Sequence, residues 1–184
     1  KGGVVHSEIM LPPHAPPSFS DRSTLWNSVE QTEKSNNSQL AREIELALPV
    51  ELSREEQTRL VREYCSSQFV SKGMCADFNI HDTGSGNPHA HILLTMRPLD
   101  EKGAWAAKSK KEYVLDESGE KILLPSGRYK TRKIDLMDWN RQENADLWRK
   151  AWADMANDFL EQNGSAERID HRSNAERGID EIPT

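Results

Sequence analysis

Apolar and polar positions alternate with a period of two in three short stretches, a fourth carries a short apolar run, and apolar positions recur at helical spacing in three longer ones. Residues 3–10 alternate weakly around Val4, Val5, Ile9 and Met10. Residues 39–48 alternate cleanly: Ile44, Leu46 and Leu48 share one face, and Glu43, Glu45 and Ala47 the other. Residues 74–81 set Ala76, Phe78 and Ile80 against Asp77, Asn79 and His81. A fourth strand begins at His89 and runs into Ile92-Leu93-Leu94.

The helical spacings fall over residues 22–34, 53–71 and 139–162. The first has Asp21 as N-cap and Leu25, Trp26 and Val29 as its buried stripe. The second opens on Ser53-Arg54-Glu55-Glu56, a capping box, carries Leu60, Val61, Tyr64, Cys65 and Val70, and closes at Gly73. The third presents Leu147, Trp148, Ala151, Trp152, Met155, Phe159 and Leu160 as a core stripe and ends at Gly164. Short connections and a turn-rich link between the third and fourth strands favour antiparallel pairing. The expected class is α+β, an antiparallel sheet with helices packed on one face. Residues 1–164 form the domain, and the polar residues 165–184 a tail.

Residues 100–135 break the pattern. Lys102, Lys108, Lys110, Lys111, Lys121, Arg128, Lys130, Arg132 and Lys133 crowd there, with Trp105, Tyr113 and Tyr129 between them. Residues 112–115 and 120–124 read as strands joined by Asp116-Glu117-Ser118-Gly119, an inserted β-hairpin. Cations with interleaved aromatics suit single-stranded nucleic acid, phosphates going to the first and bases stacking on the second. The candidate DNA contacts are Lys108, Lys110, Lys111, Arg128, Lys130, Arg132 and Lys133. Acidic neighbours (Asp100, Glu101, Glu112, Glu120) dilute the patch, and the formal net charge of −6 counts against a simple nucleic-acid binder.

The 184 residues are 35% hydrophobic and 29% charged, enough for one domain with a polar surface. No apolar run approaches the roughly 18 residues of a membrane span, and no signal peptide is visible. Cys65 and Cys75 have no metal or redox spacing, which leaves a reducing cytoplasm as the expected compartment.

The candidate chemistry lies in residues 81–91, His-Asp-Thr-Gly-Ser-Gly-Asn-Pro-His-Ala-His. His89 and His91 are two apart on a strand and point to one side. Asp82 to Asn87 is turn chemistry, so a hairpin returns His81 beside His89. Three imidazoles meeting at one point suit a divalent cation with open positions; the ligands alone do not choose between Zn, Mn, Fe and Ni. Asp82 follows His81 and either orients an imidazole or simply starts the turn.

The stretch Ile80-His81, with Gly86-Asn87-Pro88-His89-Ala90-His91-Ile92-Leu93, resembles the histidine motif of the MobA/MobL relaxases, members of the HUH nucleases. Supporting stretches occur in family order: His6-Ser7-Glu8-Ile9 with Leu11-Pro12, Arg42-Glu43-Ile44-Glu45-Leu46-Ala47-Leu48-Pro49, Arg168-Ile169-Asp170-His171-Arg172-Ser173 and Gly178-Ile179-Asp180. The resemblance implies an HUH relaxase-like α+β fold. It implies nicking of single-stranded DNA at a transfer origin by a tyrosine, leaving a 5′-phosphotyrosyl link and a free 3′-OH. It further implies a divalent metal, Mn or Mg, on His81, His89 and His91, with Glu43 and Glu45 as an acidic pair near the nucleophile or metal. Relaxosome accessory proteins and a coupling protein are the implied partners, in a bacterial cytoplasm.

The family's tyrosine precedes the His-Ser-Glu-Ile stretch, and neither Tyr64, Tyr113 nor Tyr129 holds that position. The start at Lys1-Gly2-Gly3 without Met, and the ending Ile182-Pro183-Thr184, point to a piece of a longer protein, expected to bind metal and at most DNA. The alternatives are a replication or transposition HUH protein, a metal-stabilised DNA-binding module, and a small-molecule metalloenzyme. The last needs an enclosed apolar pocket around the metal.

Overall fold

A computed structural model describes residues 3–173 and 176–179. Lys1-Gly2, Asp180 and the ending Ile182-Pro183-Thr184 lie outside the described residues. The elements in chain order are β1 (Val4–Met10), α1 (Arg22–Thr32), β2 (Ala41–Ala47), α2 (Arg54–Gln68), β3 (Ala76–His81), β4 (His89–Thr95), β5 (Ser109–Tyr113), β6 (Thr131–Asp135) and α3 (Glu143–Gln162). β1, β3, β4 and β2 make one antiparallel sheet in that order; β5 and β6 pair by themselves. The α+β class with an antiparallel sheet is what the chain adopts.

The period-two pattern decides which face is which. Ala76, Phe78 and Ile80 of β3, Ala90, Ile92 and Leu94 of β4 and Leu46 of β2 point into the main core, with Leu60, Val61, Tyr64 and Cys65 of α2 and Trp148, Trp152, Ala156, Phe159 and Leu160 of α3. The two long helices thus share one face. The short α1 and the Pro17–Ser20 turn lie over one end of the other face, where Phe19, Leu25, Cys75 and Leu99 form a smaller core. Leu147, assigned to the α3 stripe, is exposed. It immediately precedes Trp148, and consecutive helical positions lie about 100° apart, so only Trp148 faces inward.

The caps act as their residue types dictate. Asp21 accepts the Thr24 amide, and Ser53 and Glu56 form the reciprocal box at the start of α2. α2 ends at Gln68, short of Ser71, and a 3-10 turn at Val70–Lys72 leads to Gly73, which takes φ +93°. α3 begins at Glu143 because residues 138–142 are taken up otherwise: Trp139 is buried and its carbonyl accepts Arg42 Nη1. The tail is tied to α3 at Ile169, whose amide and carbonyl are both bonded by the Asn157 side chain (2.8 and 2.9 Å).

The inserted region differs from the strand assignment. Its paired strands are β5 and β6, with Lys110 opposite Ile134 and Lys111 opposite Lys133. Asp116–Gly119 is a turn as its residues demand, the Asp116 carboxylate taking the amides of Ser118 and Glu120, but only the single bridge Leu115–Lys121 follows it. Local turn chemistry was readable; the longer pairing joins charged segments with no alternation to reveal it.

Candidate metal centre

The turn between β3 and β4 is built as its glycines require. Gly84 and Gly86 take φ +76° and +85°, which side-chain-bearing residues rarely adopt. Asp82 Oδ1 accepts the Gly84 amide (2.8 Å), closing the turn. The turn fixes the register: His81 lies directly opposite His89, and Asn79 opposite His91. All three imidazoles therefore stand on the face away from the main core. Their ring centroids are 5.5 Å (His81–His89), 5.0 Å (His81–His91) and 5.1 Å (His89–His91) apart. One nitrogen from each lies within 4.8 Å of the others, a cluster that a first-row cation with bonds of about 2.0–2.1 Å can draw together.

Two of the rings are held by their inner nitrogen. His89 Nδ1 lies 2.9 Å from the Asn87 carbonyl, and His91 Nδ1 lies 2.9 Å from Glu43 Oε1. A carbonyl oxygen can only accept, so His89 Nδ1 carries the proton and donates it, leaving Nε2 as a free lone pair. A carboxylate imposes the same tautomer on His91. This carbonyl or carboxylate backing is the usual companion of a metal-bound histidine. All three residues are half-buried: accessible, but ordered by the sheet. The donor set and its backing fit a divalent cation.

The acidic candidates separate. Glu43, beside β4 on the same face, is bonded to His91. Glu45 is opposite His91 in register, but its exposed carboxylate makes no hydrogen bond among the described residues. Asp82 is occupied by the turn: besides the Gly84 amide it pairs with Arg54 at the start of α2. The Gly84 amide first, and then Arg54, hold its carboxyl below the usual aspartate range. The structure places Asp82 as the turn-starting residue. Replacing Glu43 with Ala is expected to weaken divalent-cation binding about 10–100-fold, whereas Glu45→Ala leaves it within a few-fold; calorimetric titration of both variants with Mn²⁺ checks this.

The seven basic candidates are not brought to the histidines as a set. Lys108 is bound to Glu33 (2.7 Å) and the Gln39 carbonyl (3.1 Å). Burial works against the Glu33 carboxylate, but Arg97 and Lys108 together hold its pKa down. This knot roots the β5–β6 arm beside Ala41, which pairs with Thr95 at the end of the sheet away from His89. Lys110 and Arg132 meet Glu112, and Lys133 meets Asp135. Lys111, Arg128 and Lys130 have no ion pair among the described residues. Lys111 and Lys133 are opposed across the strands, a like-charge pairing that costs stability unless an anion joins it.

A groove of about 780 Å³ runs along the free edge of β2, between Glu43, Glu45, Trp148, Trp152 and the Ile169–His171 segment. It shares the two glutamates with the histidine site, but none of the histidines lines it. The trio lies on an open face, not within an enclosed apolar pocket, which removes the observation that a small-molecule metalloenzyme requires. Sequence reasoning gave no role to Asn79 or Arg22, which also stand on this face. Asn79 was within reach, lying two positions before His81 on the same strand; Arg22 meets the face through a contact across 55 positions.

Residues 1–184 match the model of the MobA/MobL family. The chain belongs to the MobA/MobL family. Among its relatives, the conjugal transfer protein TraA of Agrobacterium fabrum is 37% identical over 195 residues, an overlap that takes in all of this chain and 17% of that protein. The probable mobilization protein MobA of Bifidobacterium longum is 34% identical over 200 residues, covering all of this chain and 35% of the relative. The mobilization protein MobL of Acidithiobacillus ferridurans is 34% identical over 209 residues, again the whole chain and 50% of the relative. This MobA/MobL chain thus spans half or less of the length of these relatives. It also resembles a solved structure described as "Molecular Basis of Vancomycin Resistance Transfer in Staphylococcus aureus", with a TM-score of 0.75 and 36% identity, covering 92% of this chain and 76% of that one.

Proposed function

We propose that the protein containing this chain nicks single-stranded DNA at a transfer origin during plasmid mobilisation or conjugation, by the metal-dependent tyrosine chemistry of the HUH nucleases. The observation that carries the reading is the imidazole trio on an open sheet face, with two Nδ1 atoms backed so that Nε2 is left for a cation, in a chain of the MobA/MobL family. A divalent cation, Mn or Mg, on His81, His89 and His91 supplies positive charge to the oxygens of the scissile phosphate. The chain's own part is to present the three nitrogens, to keep His89 and His91 in one tautomer through Asn87 and Glu43, and to leave room for a strand. Relaxosome accessory proteins and a coupling protein are the partners that go with this role.

None of the chain's tyrosines suits the nucleophile. Tyr64 is buried in the main core, donates its hydroxyl to the Trp148 carbonyl, and has its pKa pushed up by burial. Tyr113 and Tyr129 pack edge-on against each other on the arm, with Lys121 4.0 Å from the Tyr113 ring. The attacking hydroxyl therefore comes from sequence beyond these residues. The arm, with Lys111, Arg128 and Lys130 free of ion pairs among the described residues, contacts DNA away from the cleaved bond.

The test uses the intact protein and a labelled single strand carrying the transfer origin of its own plasmid. With Mn²⁺, a denaturing gel shows a covalent protein–DNA adduct and a shortened strand, and EDTA abolishes both. Cleavage indifferent to EDTA, or DNA binding without any adduct, overturns the reading.

A further inference from the structure

Asp77 stands on the histidine face of β3, yet α1 covers it and its side chain is 1% exposed. A buried carboxylate is costly unless fully paired. Here Arg22 donates Nε to Oδ2 and Nη2 to Oδ1, each at 2.7 Å, and Trp26 Nε1 donates to Oδ2 at 2.9 Å. The guanidinium itself is not buried; its side chain is 46% exposed. Nη2 also donates to Ser7 Oγ (2.6 Å) and reaches Asn79 Oδ1 (3.4 Å). Nη1 has no hydrogen-bond partner among the described residues, so two N–H groups of a fixed fork point away from the carboxylate.

The register locates that fork. Asn79 is opposite Ser7 on one side and opposite His91 on the other. Directly opposed side chains in antiparallel strands share a face, with Cβ atoms about 4.5–5.5 Å apart. Arg22 thus stands over the strand next to His91, on the same open face. On the far side of His91 that face carries Glu43 and Glu45, which repel a polyanion. A held cation on this face beside the trio is what a strand lying across the site would meet.

We propose that Arg22 contacts a DNA phosphate neighbouring the one bound at the histidine trio, with Asp77 and Ser7 setting the angle of the guanidinium. The inference rests on the DNA-nicking reading and adds to it a binding residue outside the histidine motif. A planar fork whose one edge is fixed on a carboxylate offers its remaining edge without further ordering, which is how arginine commonly takes phosphate.

The test is the double variant Arg22→Met/Asp77→Asn, which removes the contact without leaving a buried charge, compared with the parent chain for binding a short fluorescent single strand of mixed sequence in Mn²⁺ over a range of salt. The expected result is an unchanged melting temperature, affinity about tenfold lower, as for one charge-assisted hydrogen-bond pair, and a log K against log salt slope shallower by about 0.7. Should the double variant not fold, Arg22→Lys, which keeps the charge on Asp77 but has no planar fork to present, is expected to lose affinity with the salt slope little changed. Equal affinity and slope in the folded variant would make Arg22 only a strut for α1 and overturn the inference, leaving the nicking reading intact. A parent chain that binds no single strand at all would overturn the inference, and the nicking reading is then judged on the intact protein.

Discussion

The His91→Ala variant is expected to show no saturable Mn²⁺ binding in a calorimetric titration in which the parent chain takes up a single ion. His91 is at the centre of the arrangement: its ring is 5.0 Å from that of His81 and 5.1 Å from that of His89, and Glu43 backs its Nδ1. Removing it takes away a ligand and leaves Glu43 with nothing to orient. Two imidazoles alone leave a cation mostly to water, so the loss exceeds the roughly 10–100-fold expected when only an outer partner such as Glu43 is removed. The ring is half-buried on an open face, so the fold is expected to stay within about 0.5 kcal/mol of the parent. Binding that survives at full strength would show that the trio is not the cation site.

The largest effect on stability is expected at Phe78. Its side chain is fully buried on the core face of β3, between flanking residues Asp77 and Asn79 that point the other way. Phe78→Ala removes a ring from the centre of the packing between the sheet, α2 and α3, and such cavities cost about 3–5 kcal/mol. For a domain of this size that is a fall in melting temperature of about 6–20 °C. Urea unfolding should show a lower midpoint with the slope unchanged, because the area exposed on unfolding is nearly the same. A loss under about 1 kcal/mol would mean that the core closes over the gap.

The part of the fold built on alternation could be read from the residues. Ala76, Phe78 and Ile80 against Asp77, Asn79 and His81 gave the strand, its faces and the side on which His81 stands; Asp82 to Asn87 gave the turn that brings His89 opposite. Distance in sequence hid the rest. Glu43 and Glu45 are equivalent by pattern; the β2–β4 register sets Glu45 opposite His91, and only the side-chain hydrogen bond across the strands singles out Glu43. The pattern sets Asp77 on the polar face of β3, and nothing local says that α1 folds over it and buries it. The pairing of Lys108 with Glu33 and the Gln39 carbonyl was hidden because both are far from it in sequence. β5 and β6 carry no alternation at all, and their pairing depends on the chain ends that the body holds together.

Between Gly103 and Trp139 no residue is buried. Trp105 and Met137, at the two ends of this span, pack against the cores; the arm between them has its own weak backbone ladder and a salt-bridged root. Segments with so little buried contact open at free energies well below that of the whole molecule. Its amides should exchange with solvent long before those of β3 and β4, and a protease cutting at Asp116–Gly119 or Ser126-Gly127 would meet no resistance from the body. Loosening at the far end of the sheet can then come and go while the imidazoles stay in register.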